Sequence, residues 1–254
     1  MIKNKRLATT ALGNYSLVNN KRMSSLFAPI NTNLAGLNVL LTAGPTQEAI
    51  DPVRYISNHS TGKMGYALAE VLAERGANVT LVSGPTNLTI AYPTIQVIHV
   101  RSAAQMYAAC LHHFPTAALT VLAAAVADYT PKVVADRKIK KKEPEFSLEF
   151  VRTDDIAASL GAQKRDDQFM VGFALETDNE LANAQAKLVS KNLDLIVLNS
   201  LKDKGAAFGY DTNRVTLIHR HGAIHRFGLK SKWAVAHDIV DQLSIVLLPV
   251  LVCN

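Results

Sequence analysis

Arg54 and Asn58 stand four residues apart in the polar stretch DPVRYISNHSTG. An arginine can clamp a carboxylate or phosphate through two parallel hydrogen bonds, and an asparagine offers both a donor and an acceptor. Ser60, Thr61 and Gly62 bring hydroxyls and free amides to the start of a helix. That setting favours anions, and it also serves as an ordinary cap. Asp128 follows an apolar run, where it could bind magnesium, accept hydrogen bonds from a nucleobase or sugar, or shape a turn. Lys138, Lys140, Lys141 and Lys142 crowd one short segment. Such a segment is either a basic flap gathered by a polyphosphate or a solvated charge run. Lys187 and Lys191 share a helix face at i, i+4 and reach either phosphates or water. His219, His221 and His225 alternate along a strand-like stretch and read as surface residues, and Cys110 reads as core.

The elements that must position these residues follow from hydrophobic periodicity. Asn38–Ala43, Asn78–Ser83, Ile95–Val100, Leu119–Ala125, Phe169–Ala174 and Leu193–Leu198 read as strands, and Phe146–Val151 as a further short one. Lys63–Arg75, Ala103–His113, Asp154–Gly161, Asn179–Ser190 and Lys232–Leu248 read as helices, and Gly76 ends the first of them. Residues 132–145 read as a lysine-rich loop, and Phe208–Arg226 as a β-hairpin turning near His221-Gly222. Strand and helix alternate, and Leu119–Ala125 is almost wholly apolar, as a strand buried on both faces must be. The expected fold is α/β: a doubly wound, mostly parallel, Rossmann-like sheet with helices on both faces and a β-hairpin or flap addition. Ligands bind such sheets beyond the carboxyl ends of the strands. The loop Gly44-Pro45-Thr46 lacks the G-x-G-x-x-G fingerprint, and Ser60–Gly65 is not a P-loop.

The chain carries a formal charge of +6, which favours anionic partners. Aromatic content of 6% leaves few stacking platforms for a nucleic acid. Two cysteines cannot build a disulfide scaffold, and no Cys/His cluster has zinc spacing, so a reducing cytoplasm is the expected setting. The apolar stretch Ile245–Cys253 contains Pro249 and is too short for a membrane span. Residues 1–36 are basic, rich in Ser and Asn and free of acidic residues. Their composition fits a transit segment, a disordered leader or a linker remnant, and the last two are the expectation, with one domain over 37–254. On chemistry alone, an NAD(P)-dependent oxidoreductase and a basic nucleic-acid-binding module stay open as rivals; the missing glycine fingerprint weighs against the first.

The runs TAGPTQEAIDPVRYISNHSTGKMGYALAE, GANVTLVSGPT, AAAVADYTP, KIKKK, VGFALET and KNLDLIVLNS occur in this order along the chain, within a resemblance that extends over roughly residues 24–247. Together they resemble the phosphopantothenate–cysteine ligase family, bacterial type, without the flavin-dependent decarboxylase half. The resemblance implies that the carboxylate of 4′-phosphopantothenate attacks the α-phosphate of a nucleoside triphosphate, CTP rather than ATP. L-cysteine then displaces the nucleotide from the acyl intermediate. It implies Mg²⁺, a homodimer with the acid site near the subunit interface, and association with a separate phosphopantothenoylcysteine decarboxylase. It assigns Asn58 to the acid and the acyl-nucleotide, Arg54 and Ala125 to the acid, and Lys138 to a mobile flap over the nucleotide. To the nucleotide it further assigns Leu122, Ala123, Ala124 and Asp128, the turn Thr153, Asp154, Asp155 and Ile156, then Phe173, Lys187 and Lys191. The family often has Asn-Pro where this chain has Thr153-Asp154. The resemblance does not say which side chains ligate the metal. Lysines and a metal would offset the charge of an acid reacting beside a triphosphate, so no catalytic histidine is required in the first step.

Overall fold

Alternating apolar residues along the central strands feed two separate cores, one on each face of the sheet. The computed structural model describes residues 33–140, 145–200 and 209–252; Lys141, Lys142 and residues 1–32 lie outside them. In strand β1 (Asn38–Ala43), Val39, Leu41 and Ala43 join one core, and Leu40 joins the other. Side chains in a strand point alternately to opposite faces, so a run such as NVLLTA serves both only if both are covered. Helices α1 (Lys63–Glu74) and α5 (Lys232–Val252) cover the first face with Leu68, Leu72, Ile239 and Leu243. Helices α2 (Ala103–His113), α3 (Ile156–Gln163) and α4 (Glu180–Ser190) cover the second with Met106, Leu160 and Leu188. Truncating a fully buried leucine such as Leu41 or Leu160 to alanine would cost about 2–5 kcal/mol.

The remaining strands are β2 (Gln47–Ala49), β3 (Tyr55–Ser57), β4 (Asn78–Ser83), β5 (Gln96–His99), β6 (Leu119–Leu122), β7 (Tyr129–Pro131) and β8 (Phe150–Arg152). After them come β9 (Phe169–Glu176), β10 (Leu195–Ser200), β11 (Thr212–Asn213), β12 (Val215–His219), β13 (Ile224–Arg226) and β14 (Lys230–Ser231). The main sheet has eight strands in the order β13-β12-β10-β9-β6-β1-β4-β5. From β5 to β10 all pairings are parallel, and β12 and β13 add an antiparallel edge. Counted along the chain, the parallel strands run 3-2-1-4-5-6, the doubly wound Rossmann order. Its switch point lies between β1 and β6, whose following loops diverge toward opposite sides and leave a crevice.

Strand β6 ends at Leu122 rather than Ala125: the chain turns away, and Ala125 makes only an isolated bridge to Pro45. The short strand expected at Phe146–Val151 forms instead at Phe150–Arg152, where it pairs with β7. Leu34 is fully buried and donates its N–H to the Arg75 carbonyl, so packing begins ahead of the boundary read at residue 37. His219 corrects the surface reading of the hairpin histidines. It is only 4% exposed, because β12 is an inner strand flanked by β10 and β13. Burial and the neighbouring His221 and His225 hold its pKa below the usual histidine value. Cys110 is buried as expected, and burial pushes its thiol up to about 12. Among the described residues no helix is long and apolar enough to cross a membrane.

Candidate functional site

The switch-point crevice is lined by a loop whose backbone is bonded at almost every step. Ala123 N–H donates to the Thr42 carbonyl at 3.2 Å, Ala124 N–H to Thr42 Oγ1 at 3.2 Å and Ala125 N–H to the Gly44 carbonyl at 2.9 Å. Ala127 N–H donates to Thr46 Oγ1 at 2.9 Å, and Thr153 Oγ1 to the Ala127 carbonyl at 2.6 Å. Thr42 and Thr46 are buried, so each hydroxyl supplies an acceptor that water cannot. Small side chains in Ala123–Ala127 let the backbone itself form the wall.

Residues 45–61 are inserted between β1 and α1, and they carry Arg54 and Asn58. The β2–β3 hairpin anchors this insertion: buried Glu48 accepts the Ala103 N–H at the start of α2 at 2.8 Å, and Gln47 N–H donates to the Arg101 carbonyl. Gly62, at φ 81°, turns the chain from the insertion into α1. Gly65 lets that helix approach β1 so closely that a Cβ there would sit 2.5 Å from the Ala43 Cβ. These are the turning and close-packing roles of a dinucleotide-fold glycine pair. The insertion separates them from Gly44, which is why no contiguous fingerprint is visible.

Two cavities open at this rim. The larger, about 510 Å³, is bounded on the β6 side by Leu122, Ala124 and Asp128 and on the α3 side by Thr153, Asp154, Asp155 and Ile156. Phe173 of β9 and the α4-side lysines Lys187 and Lys191 close it. The smaller, about 340 Å³, is bounded by Asn58, by Ser60–Gly65 at the start of α1, and by Ala123 and Ala125. The two share Ala124, Val126, Asp128 and Phe173 as a common wall. Asn58 Nδ2 donates to the carbonyls of Ala125 and Val126 at 3.0 and 3.1 Å. Both amide hydrogens are thus occupied, and Oδ1 remains as an acceptor.

Cations at the rim are held by carboxylates. Lys187 pairs with Glu176 at 2.6 Å and Lys191 with Asp155 at 3.1 Å. Burial would raise the Asp155 pKa, but the Ala158 N–H and Lys191 outweigh it and hold the carboxyl below its usual value. In the smaller cavity Lys63 pairs with Asp211. Nearby Lys232 is nearly buried; desolvation and Lys63 lower its pKa. Sequence reasoning missed Lys63, Lys232, Asn199 and Asn213 as cavity residues, along with Arg152 and Tyr129 of the larger cavity. No local pattern marks them, since they come from separate elements.

Arg54 and Lys138 line neither cavity. Arg54 binds the backbone next to Lys138 instead: its Nη2 donates to the Ile139 carbonyl at 2.6 Å. Lys138 itself is exposed. Among the described residues no three His, Cys, Asp or Glu side chains converge as a metal cage. Asp128 and Asp154 are exposed carboxylates on the wall of the larger cavity.

Residues 34–246 match the family model described as DNA/pantothenate metabolism flavoprotein C-terminal domain. A protein from an unknown prokaryotic organism, named cysteine/cysteine sulfinic acid decarboxylase, is 52% identical over 210 residues, covering 83% of this chain and 58% of that protein. The coenzyme A biosynthesis bifunctional protein CoaBC of Bacillus subtilis is 46% identical over 211 residues, covering 83% of this chain and 52% of that protein. The chain therefore spans just over half the length of these curated relatives. The crystal structure of the C-terminal domain of a CoaBC protein superposes with a TM-score of 0.73 at 39% identity, covering 85% of this chain and 98% of that one.

Proposed function

The chain belongs to the DNA/pantothenate metabolism flavoprotein C-terminal domain family, and on that premise we propose that it is a phosphopantothenate–cysteine ligase acting through an acyl-cytidylate. The observation that carries this reading is the pair of cavities divided by one wall of Ala124, Val126, Asp128 and Phe173. A ligase of this kind must hold two anionic substrates apart except at the atoms that react.

In this reading CTP occupies the larger cavity. Leu122, Ala124 and the Thr153–Ile156 turn offer backbone groups, Phe173 offers a ring face, and Asp128 accepts hydrogen bonds from the nucleotide; Ala123 faces the smaller cavity instead. The acid occupies the smaller cavity, against Asn58 and Ala125. A carboxylate oxygen of 4′-phosphopantothenate attacks the α-phosphorus across the shared wall, and the bond to pyrophosphate breaks. The cysteine amine then attacks the acyl carbon, CMP departs, and the amine proton passes to solvent. Asn58 is neutral, so it can hold the mixed anhydride through Oδ1 without being acylated, as a lysine there would be. Lys187 and Lys191 exchange Glu176 and Asp155 for phosphate oxygens, and Lys138 adds a cation as pyrophosphate leaves. Asp154, an exposed carboxylate on the wall of the larger cavity, would hold Mg²⁺ together with the triphosphate, since that ion commonly uses one or two carboxylates plus phosphates. When bound, Mg²⁺ would neutralise charge on the departing pyrophosphate.

The β2–β3 and β7–β8 ribbons expose Val53, Tyr55, Tyr129, Phe150 and Val151. This apolar surface supports the homodimer as part of the proposal, with the acid site near the interface. Association with a separate phosphopantothenoylcysteine decarboxylase, in the cytoplasm, completes the reading; the longer bifunctional relatives support it. The decisive assay incubates purified protein with 4′-phosphopantothenate, Mg²⁺ and either CTP or ATP, then adds L-cysteine. Pyrophosphate should appear with CTP before cysteine is added, and CMP after. Pyrophosphate release with neither nucleotide would refute the assignment.

A further inference from the structure

Asp51 carries a negative charge whose side chain is fully buried. Burying a carboxylate is costly unless hydrogen bonds and a counter-charge offset it, and an apolar side chain would often stabilise a fold as well. The two carboxylate oxygens serve different parts of the chain. Oδ1 accepts the N–H groups of Val53 and Arg54, at 2.8 and 2.9 Å, and so shapes its own turn. Oδ2 accepts the Ile139 N–H at 3.1 Å and the Arg54 Nη2 at 2.9 Å. That same Nη2 donates to the Ile139 carbonyl at 2.6 Å. Ile139 is thus held on both sides: its N–H belongs to the peptide joining it to Lys138, and its carbonyl to the peptide leading to Lys140. Ala135 N–H, donating to the Ile50 carbonyl at 3.0 Å, fastens the other end of the segment to the same turn.

We infer that Asp51 and Arg54 form a latch that fixes the peptide preceding Ile139 and thereby sets the direction of Lys138, which makes Asp51 a positioning residue for that lysine. The inference rests on the role proposed for Lys138 and deepens it. Arg54 serves the flap backbone through Nη2. Lys138 is exposed, so its placement depends on the adjoining peptide.

Asp51→Asn separates the two jobs of the carboxylate. The retained amide oxygen can still accept Val53 and Arg54 N–H groups, while the new NH₂ faces the Ile139 N–H and the guanidinium, where it can accept from neither. Amide hydrogen exchange of the 254-residue chain, without ligands, should then quicken in peptides spanning 135–140 and stay unchanged in 120–128. With CTP, 4′-phosphopantothenate and L-cysteine, the kcat for pyrophosphate release should fall roughly ten- to hundredfold. The KM for CTP should stay within about twofold, because the cavity walls are untouched. Asp51→Asn combined with Lys138→Gln should be no slower than Lys138→Gln alone. Unchanged exchange at 135–140, or effects of the two substitutions that multiply, would overturn the latch. Should Lys138→Gln alone retain the wild-type rate, the proposed role of that lysine fails, and the exchange experiment still decides whether the latch exists. Asp51→Glu, which keeps the charge, should restore part of the exchange protection and part of kcat; no recovery would assign the loss to the turn instead.

Discussion

The wall between the cavities and the segment that carries Lys138 are built by opposite means. Residues 123–127 are cross-bonded by Thr42, Gly44, Thr46, Asn58 and Thr153, several of these groups buried. Residues 135–140 bear exposed lysines and are tied to the insertion through two residues, Ala135 and Ile139. A wall that must present backbone groups at fixed spacing needs every peptide satisfied, so that nothing has to reorganise as a nucleotide arrives. A cation that follows charge moving onto a leaving group needs reach, and a single latch supplies direction while leaving the side chain free.

That contrast can be broken first at the flap. Lys138→Gln should lower the rate of pyrophosphate release by roughly hundredfold or more with little change in melting temperature, since one preorganised charge contact is commonly worth that much. A variant with the wild-type rate would mean that the segment is only a solvated charge run. At the wall the expected effects involve stability as well. Asn58→Asp sets a carboxylate against the Ala125 and Val126 carbonyls. It should destabilise the protein by about 1–3 kcal/mol and slow the second step, so that the acyl-nucleotide accumulates in quenched samples resolved by chromatography. Absence of the intermediate together with an unchanged melting temperature would remove Asn58 from the wall.

Thr46→Val deletes the buried acceptor of the Ala127 N–H and should cost about 1–3 kcal/mol. For a domain of this size that is a fall of about 2–4 °C in Tm per kcal/mol. It should also raise the KM for CTP, whereas no flap substitution should. The smallest effect is expected at Asp155. Its pKa is depressed on folding, so its contribution is fully present above the unfolded carboxylate pKa, about 3.9, and is lost as pH falls through the lower folded value. Asp155→Asn keeps a capping side chain but loses the partly exposed pair with Lys191, so the cost should be below about 1 kcal/mol. Thermal melts across pH should show that difference near neutrality and its progressive loss as pH falls below the unfolded carboxylate value. A difference that grew on acidification would reverse the assignment.

The sheet was legible because its strands are apolar runs that only a doubly covered sheet can bury, as in Asn38–Ala43 and Asn78–Ser83. Helix α2 forms over Ala103–His113 as its periodicity predicts, and the structure adds a Ser102–Gln105 capping box at its start. Where residues shape loops rather than cores, the reading failed. Leu119–Ala125 looks like one strand because alanines suit both a buried strand and a backbone-lined wall, and only the hydrogen bonds that Ala124 and Ala127 donate to Thr42 and Thr46 end it at Leu122. His219 looked like a surface residue because alternation gives facing but not depth. Phe146–Val151 was placed too early because the pairing with β7 sets where β8 begins.

From the sequence alone follow the fold class, the loops at which chemistry could occur, and a family resemblance carried by DPVRYISNHSTGKMG and AAAVADY. Composition and periodicity are local properties, and the winding of an α/β sheet obeys them. Only the tertiary structure decided that Asn199, Asn213 and Lys232 line the same cavity as Asn58, and that Asp51 reaches a peptide 88 positions away. Contacts of that range depend on where the strand order reverses and on how the insertion folds back over the rim. No window of the chain contains both partners of such a contact, so no local pattern can encode it.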